Sequence, residues 1–381
     1  MQITILRETL PGEARVALLP EFIKKLTAFK VEVAVESGAG NAAFAVDSDY
    51  SNAGAKISAN RAELVASTDM LLAINRPPAN DFAGLKRGSV IIGFLKPLDE
   101  PGALEPLVAH GLTAFAMELM PRITRAQAMD ALSSMATIAG YKAVLLAASH
   151  LTRMFPMLMT AAGTVSPARV LVLGAGVAGL QAIATARRLG AVVEAYDVRA
   201  VAGEQVRSLG ATFLEVDLGG IATEDSGGYA RELSEEALNR GRDLIASRAR
   251  SADVIITTAQ VPGRPAPVLL TEQAVRGMKR GSVIVDLAAS TGGNCPLSRP
   301  GETVVREDIT IMAPLNLAGT VPAHASQLYS RNIMAFLALL IQDGQLKIDL
   351  QDAVVGPACV SFEGKIMNQR VAAALEPTAV R

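Results

Sequence analysis

The segment Gly174-Ala175-Gly176-Val177-Ala178-Gly179 closes the apolar run Val170-Leu171-Val172-Leu173. A G-x-G-x-x-G turn between a strand and a helix suits a pyrophosphate. Its first glycine makes the turn, the second lets the backbone approach the phosphates, and the third allows close helix–strand packing. The helical stretch from Leu180 to Leu189 then presents its N-terminal N–H groups to an anion. A second apolar run, Val192-Val193-Glu194-Ala195-Tyr196, ends at Asp197, 23 positions after Gly174. A carboxylate there accepts hydrogen bonds from an adenine ribose 2′-OH and repels a 2′-phosphate, which favours NAD(H) over NADP(H).

A second polar set, Arg122, Gln127, Asp130 and Ser133, stands in a mostly apolar helical region. The last three recur every third residue, so one helix would place them near one face. Arg and Gln suit a carboxamide or a phosphate, and Asp can fix the Arg. The same spacing also fits an ordinary polar helix start with its caps. Oxidation of an alcohol or amine needs a general base, yet His110, His150 and His324 sit in no catalytic motif. No metal-ligand cluster and no Ser/His/Asp arrangement emerges. Cys295 and Cys359 are far apart, without C-x-x-C, which fits a reducing, cytoplasmic setting.

The elements that must position these residues read as α/β throughout. The chain has 381 residues, half of them hydrophobic, with a net charge of −1. That size suits two or three domains, and the charge argues against nucleic-acid binding. The N-terminus reads as a strand and not as a signal peptide. The longest strongly apolar helical run, Ile333 to Ile341, is shorter than the about 20 residues a bilayer needs. The chain is therefore not expected to span a membrane itself.

Strands are expected at Ile3–Leu6, Val31–Glu36, Met70–Ile74, Val90–Phe94 and Thr113–Met117, with helices such as Pro20–Ala28 and Arg61–Ala66 between them. A second series covers Val170–Leu173, Val192–Tyr196, Thr212–Glu215, Val254–Thr257 and Val283–Asp286. Alternation of this kind predicts doubly wound parallel sheets. Two Rossmann-like domains follow, one from 1–132 with 327–381 and one from 133–326, with the dinucleotide fingerprint in the second. Two long apolar helices, from about Thr124 to Met154 and from Ser326 to Ile341, are expected to join them across a cleft. The glycine-rich stretch near 217–230, with a helical run from Ala230 to Arg250 behind it, is long for a βα connection. It reads either as a mobile loop closing on nucleotide through Tyr229 or as a solvated linker.

The run Met117-Glu118-Leu119-Met120-Pro121-Arg122-Ile123-Thr124-Arg125-Ala126-Gln127-Ala128-Met129-Asp130-Ala131-Leu132-Ser133-Ser134 closely resembles the NAD(H)-binding component of proton-translocating nicotinamide nucleotide transhydrogenases. So do Glu13-Ala14-Arg15-Val16-Ala17, Met159 to Val165, Gly174 to Gly179, Gly227-Gly228-Tyr229-Ala230, Ile256 to Pro267 and Asp286 to Cys295. The resemblance runs from Arg7 to about Leu340.

That resemblance implies that NAD(H) rests with its pyrophosphate on Gly174, Gly176, Val177, Ala178 and Gly179. Its ribose lies on Asp197, flanked by Val198 and Arg199. Arg122, Gln127, Asp130 and Ser133 hold the nicotinamide end, Gly228 and Tyr229 belong to a mobile loop, and Ala259 and Gln260 follow a contacting strand. A separate component carries NADP(H), and hydride passes directly between the rings. A membrane-spanning component couples this to proton movement, so the chain is expected as a homodimer, peripheral on the cytoplasmic face of the inner membrane. Many relatives carry Leu where this chain has Gln260; Met135 and Ser290 also depart from some. Alanine dehydrogenase belongs to the same superfamily and is the alternative reading. Its lysine, histidine and aspartate positions correspond to Ala73, Phe94 and Ser290 here, so amino-acid oxidation lacks its acid and base. A non-catalytic NAD-sensing module is a third reading.

Overall fold

Strands β1 (Gln2–Ile5), β2 (Glu32–Glu36), β3 (Lys56–Ser58), β4 (Met70–Asn75), β5 (Val90–Phe94) and β6 (Thr113–Ala116) pair in parallel in the order β3-β2-β1-β4-β5-β6. Their near-continuous apolar runs suit a sheet covered on both faces; in β4 only Asn75 is more than marginally exposed. Antiparallel strands Cys359–Phe362 and Lys365–Ile366 extend the sheet beyond β6. The structure is a computed structural model that describes residues 1–216, 234–261 and 263–375. Contacts divide the chain into unit 1, Met1–Met135 with Ala318–Arg381, and unit 2, Ala136–Leu317.

Helix Pro322–Leu340 organises unit 1 through polar side chains on its buried face. Ser326 Oγ and Ser330 Oγ accept the N–H groups of Val16 and Leu19, each at 3.0 Å. The wholly buried Tyr329 donates its hydroxyl to Ala73 O at 2.8 Å and stacks against Phe94 with ring centroids 5.5 Å apart. Asn332 Nδ2 donates to Ala128 O at 2.9 Å. Positions 326, 329 and 330 share one face by the i, i+3, i+4 rule, which is why one helix reaches several loops.

Unit 2 contains the hairpin β7 (Leu158–Thr160) and β8 (Gly163–Val165), then β9 (Arg169–Leu173), β10 (Val192–Tyr196), β11 (Thr212–Leu214), β12 (Val254–Thr257), β13 (Val283–Asp286), β14 (Thr303–Arg306) and β15 (Ile309–Met312). Its main sheet runs β11-β10-β9-β12-β13-β15-β14, parallel except for β14. The order reverses between β9 and β12, and such a switch point opens a crevice at the strands' C-terminal ends. Helix Val177–Arg188 leaves β9 and buries Ala182, Ile183 and Ala186 against Val170, Val172, Val193 and Ile256.

Several elements differ from expectation. The helix foreseen from Thr124 to Met154 is a 3₁₀ turn, Thr124–Met129, followed by the helix Ala131–His150. Asp130 breaks it with a non-helical ψ of 82°. The helix foreseen from Ser326 spans Pro322–Leu340, and the one foreseen from Ala230 spans Glu235–Ala249 with Ser234 as its N-cap. The C-terminal strands and β3, β14 and β15 were not foreseen, because they are short and half exposed and carry no long apolar run. Helix Ala131–His150 has 20 residues and is apolar enough to cross a membrane by length and composition, so the longest such run is not Ile333–Ile341. Its Ala143, Val144 and Ala147 instead sit in the unit 2 core.

Tyr329→Phe removes the hydroxyl that meets Ala73 O and leaves that carbonyl without this donor. Unit 1 should lose about 1–3 kcal/mol, read from chemical denaturation followed by a probe in that unit; an unchanged midpoint would refute this account of the helix.

Candidate functional site

In unit 2 the three glycines have three separate reasons to be glycine. Gly174 has φ +99°, and a Cβ on it would lie 2.6 Å from Thr258 Oγ1. A Cβ on Gly179 would lie 1.8 Å from Gly174 O, so the helix meets the strand only without it. Gly176 caps the helix and has nothing within 4 Å of a built Cβ, which leaves its backbone open to approach. Val177 is exposed and Ala178 half-buried beside it. The helix N-terminus thus offers N–H groups and a partial positive charge at an accessible surface.

The turn is tied to both neighbouring strands. Thr258 Oγ1 donates to Gly174 O at 3.0 Å. Ala175 N–H donates to Asp197 Oδ2 at 2.7 Å. Arg199 grips the same carboxylate, from its backbone N–H and Nε to Oδ1 and from Nη2 to Oδ2, each at 2.9 Å. Two donors on each oxygen fill the usual acceptor capacity of a carboxylate. Val198 packs into the core below. Beyond β12, Ala259 N–H donates to Asn294 Oδ1 at 3.0 Å, and Asn294 Nδ2 returns to Ala259 O at 2.9 Å and Pro267 O at 2.8 Å. The exposed Gln260 donates through Nε2 to Leu287 O at 2.9 Å.

Asp286 and Asn294 support this rim, and sequence reasoning gave neither of them a role. Asp286 is fully buried at the end of β13. It accepts from Thr257 Oγ1 at 2.8 Å, Ser298 Oγ at 2.7 Å and Ala288 N–H at 3.0 Å. An acidic residue ending an apolar strand, followed by Gly-Gly-Asn, was the available signal. Gly228 and Tyr229 lie outside the described residues.

Arg122, Gln127, Asp130 and Ser133 belong to unit 1 and do not share a helix face. Arg122 is exposed in the loop before the 3₁₀ turn, Gln127 is exposed on that turn, and Asp130 stands between turn and helix. Asp130 accepts the Ser133 backbone N–H at 2.8 Å and the Ser133 hydroxyl at 2.6 Å. Those two are therefore a helix cap, the bland alternative that their spacing had left open.

Unit 1 has its own crevice between β1 and β4, and side chains fill it. Glu8 Oε1 accepts Ile74 N–H at 2.6 Å, and Asn75 Nδ2 bridges Glu8 Oε2 at 3.0 Å and Glu13 Oε2 at 2.9 Å. Glu13 in turn pairs with the buried Arg15, with Nε to Oε1 at 2.7 Å. Burial raises the Glu8 carboxyl above its ordinary range, against its hydrogen bonds from Asn75 and Ile74. Glu118, just after β6, accepts Lys96 N–H at 2.5 Å, while its Oε2 is buried with no partner among the described residues. Burial pushes this carboxyl up to about 7, with the Asp99 charge adding to the shift.

Strand order and turn geometry define a doubly wound, Rossmann-like α/β protein. The chain matches the models of the alanine dehydrogenase/PNT N-terminal domain over residues 4–139 and C-terminal domain over residues 143–369. It belongs to the alanine dehydrogenase/PNT family. It is 46% identical over 376 residues to an NAD(P) transhydrogenase subunit alpha chain of Rhodospirillum rubrum, covering 97% of this chain and 98% of that one. It is 29% identical over 392 residues to alanine dehydrogenase of Mycobacterium tuberculosis, covering 100% of both. The crystal structure of transhydrogenase from Sinorhizobium meliloti matches with a TM-score of 0.87 and 42% identity, over 96% of this chain and 100% of that one.

The Glu118 carboxyl titrates at about 7 in the fold against an ordinary 4.5, so the fold favours its protonated form. Its stabilising contribution is complete below pH 4.5 and is lost as pH rises through about 7, a span of about 3 kcal/mol. Unit 1 should therefore weaken between pH 5 and pH 8, and Glu118→Gln should flatten that dependence. Parallel stability curves for the two proteins would show that Glu118 does not titrate there.

Proposed function

We propose that this chain is the NAD(H)-binding subunit of a proton-translocating transhydrogenase. It passes hydride directly between its own nicotinamide and an NADP(H) held on a partner subunit, and a membrane-spanning subunit couples that transfer to proton movement. The observation that carries the reading is the absence of any acid or base at Ala73, Phe94 and Ser290. Ala73 is buried with its carbonyl taken by Tyr329, Phe94 packs on the same ring, and Ser290 is an exposed residue in a 3₁₀ turn. Amino-acid oxidation needs a proton acceptor; nicotinamide-to-nicotinamide transfer does not.

The residues fit such a cofactor. The open N–H groups at Gly176, Val177 and Ala178 face a pyrophosphate, and Gly174 and Gly179 keep the turn tight enough to present them. Asp197 takes the ribose hydroxyls once Arg199 gives up a side-chain bond, because all its acceptor positions are filled. Val198, Ala259 and Gln260 line the adenosine side, and Gly228 and Tyr229 close over it. Bound NADH supplies the hydride. Arg122 and Gln127 orient its nicotinamide end, and Asp130 with Ser133 fixes the end of their turn. The catalytic contribution is approach and orientation. The subunit pairs as a homodimer and sits on the cytoplasmic face of the inner membrane through its partners.

Stopped-flow mixing of the NADH-loaded chain with an NADP(H)-binding transhydrogenase component carrying NADP⁺ tests this. Fast transfer that needs both proteins and no amino acid is expected. Reduction of NAD⁺ by alanine instead would reinstate the dehydrogenase reading, and tight NADH binding with no transfer would make the chain a sensor. In the same assay Asp197→Ala should weaken NADH binding by about 10–100-fold and narrow its preference over NADPH; unchanged affinity for both would remove Asp197 from the ribose.

A further inference from the structure

The 3₁₀ turn Thr124–Met129 has six residues, whereas such turns rarely exceed three or four because their hydrogen bonds are poorly aligned. A turn of this length depends on anchors outside itself, and two are present. From the core, Asn332 on helix Pro322–Leu340 donates through Nδ2 to Ala128 O at 2.9 Å. A carbonyl oxygen only accepts, which settles which end of the amide faces it. The other end, Asn332 Oδ1, is buried with no partner among the described residues. An apolar side chain of similar size would avoid that unmet oxygen. The amide therefore weakens the core, and its grip on Ala128 O is what it provides in return.

From the surface, Arg125 Nη1 meets Asp352 Oδ2 at 2.7 Å. Asp352 is already held in place, since its Oδ1 accepts Val354 N–H at 2.8 Å and Val355 N–H at 3.2 Å. Half-exposed ion pairs add little stability. A carboxylate locked beforehand in the C-terminal segment is better suited to fixing where Arg125, and hence the turn, sits. Between the two anchors lies Gln127, one residue from Ala128 and two from Arg125.

We propose that Asn332 and the Arg125–Asp352 pair are positioning residues for hydride transfer: they set the 3₁₀ turn and, through it, Gln127 at the nicotinamide. This rests on the assignment of Gln127 to the nicotinamide end made above. A misplacement of about 1 Å in a group that orients a reactant costs up to about 100-fold in rate. The C-terminal segment around Asp352 then serves the site without touching the cofactor.

The test uses the full chain with Asn332→Leu, Arg125→Met and the conservative Arg125→Lys. Four quantities are read: backbone amide exchange across 124–130, affinity for AMP, the emission of bound NADH, and hydride transfer to NADP⁺ on the NADP(H)-binding component. Asn332→Leu and Arg125→Met should speed exchange in the turn and leave AMP affinity unchanged. They should also move bound NADH emission toward that of free NADH and slow transfer by about tenfold or more. Arg125→Lys should recover most of the loss. Folded variants with unchanged emission and transfer would overturn the proposal, even with faster exchange. If the wild-type chain binds NADH but transfers no hydride, the transhydrogenase reading fails on its own, and exchange with NADH emission still decides the positioning role. A wild-type chain that binds no NADH would overturn both.

Discussion

The turn after β9 depends on two side chains that are not there. Gly174 carries a φ that other residues rarely adopt and presses against Thr258, and Gly179 comes so close to Gly174 O that no Cβ fits between them. Close packing at that point brings the N-terminus of helix Val177–Arg188 onto the C-terminal end of β9, at the reversal of strand order. A Cβ at either glycine would push the helix away and blunt the point where its unpaired N–H groups reach the surface. Asp197, Ala259 and Asn294 are arranged around this turn, each linked to it or to its neighbour by hydrogen bonds.

Unit 1 repeats the strand order without the glycines, and the consequence is visible at its own switch point. Where unit 2 keeps an open turn, unit 1 fills the crevice with Glu8, Asn75, Glu13 and Arg15, bonded to one another. Tyr329 seals the adjoining ends of β4 and β5 through Ala73 and Phe94. The same architecture thus serves as a binding edge in one unit and as a packed support in the other. Several of the unit 1 loops, including the turn that carries Gln127, hang on one face of helix Pro322–Leu340.

Much of the fold was legible in the sequence. β5, β10, β12 and β13 fall at the expected residues, because strands buried on both faces leave unbroken apolar runs of fixed length. The strands that escaped are short or lie at edges, where one side faces water and the run is diluted. The glycine turn was legible for the same local reason, since backbone conformation is written in residue type. The segment from Arg122 to Ser133 was misread as one continuous helix. Its residues allow helix throughout, and what breaks it is the Asp130 side chain binding Ser133 instead of continuing the spiral.

By itself the sequence determined the strand–turn–helix at Gly174, the acidic end of β10 and the α/β alternation, because each is a property of neighbouring residues. Only the tertiary structure decided what those residues bond to. Arg199 saturates the Asp197 carboxylate, Asn294 reaches back 35 positions to Ala259, and Asn332 crosses 204 positions to hold Ala128. Such partners are set by how sheets and helices stack, and no spacing along the chain encodes a hydrogen bond between residues that folding alone brings together.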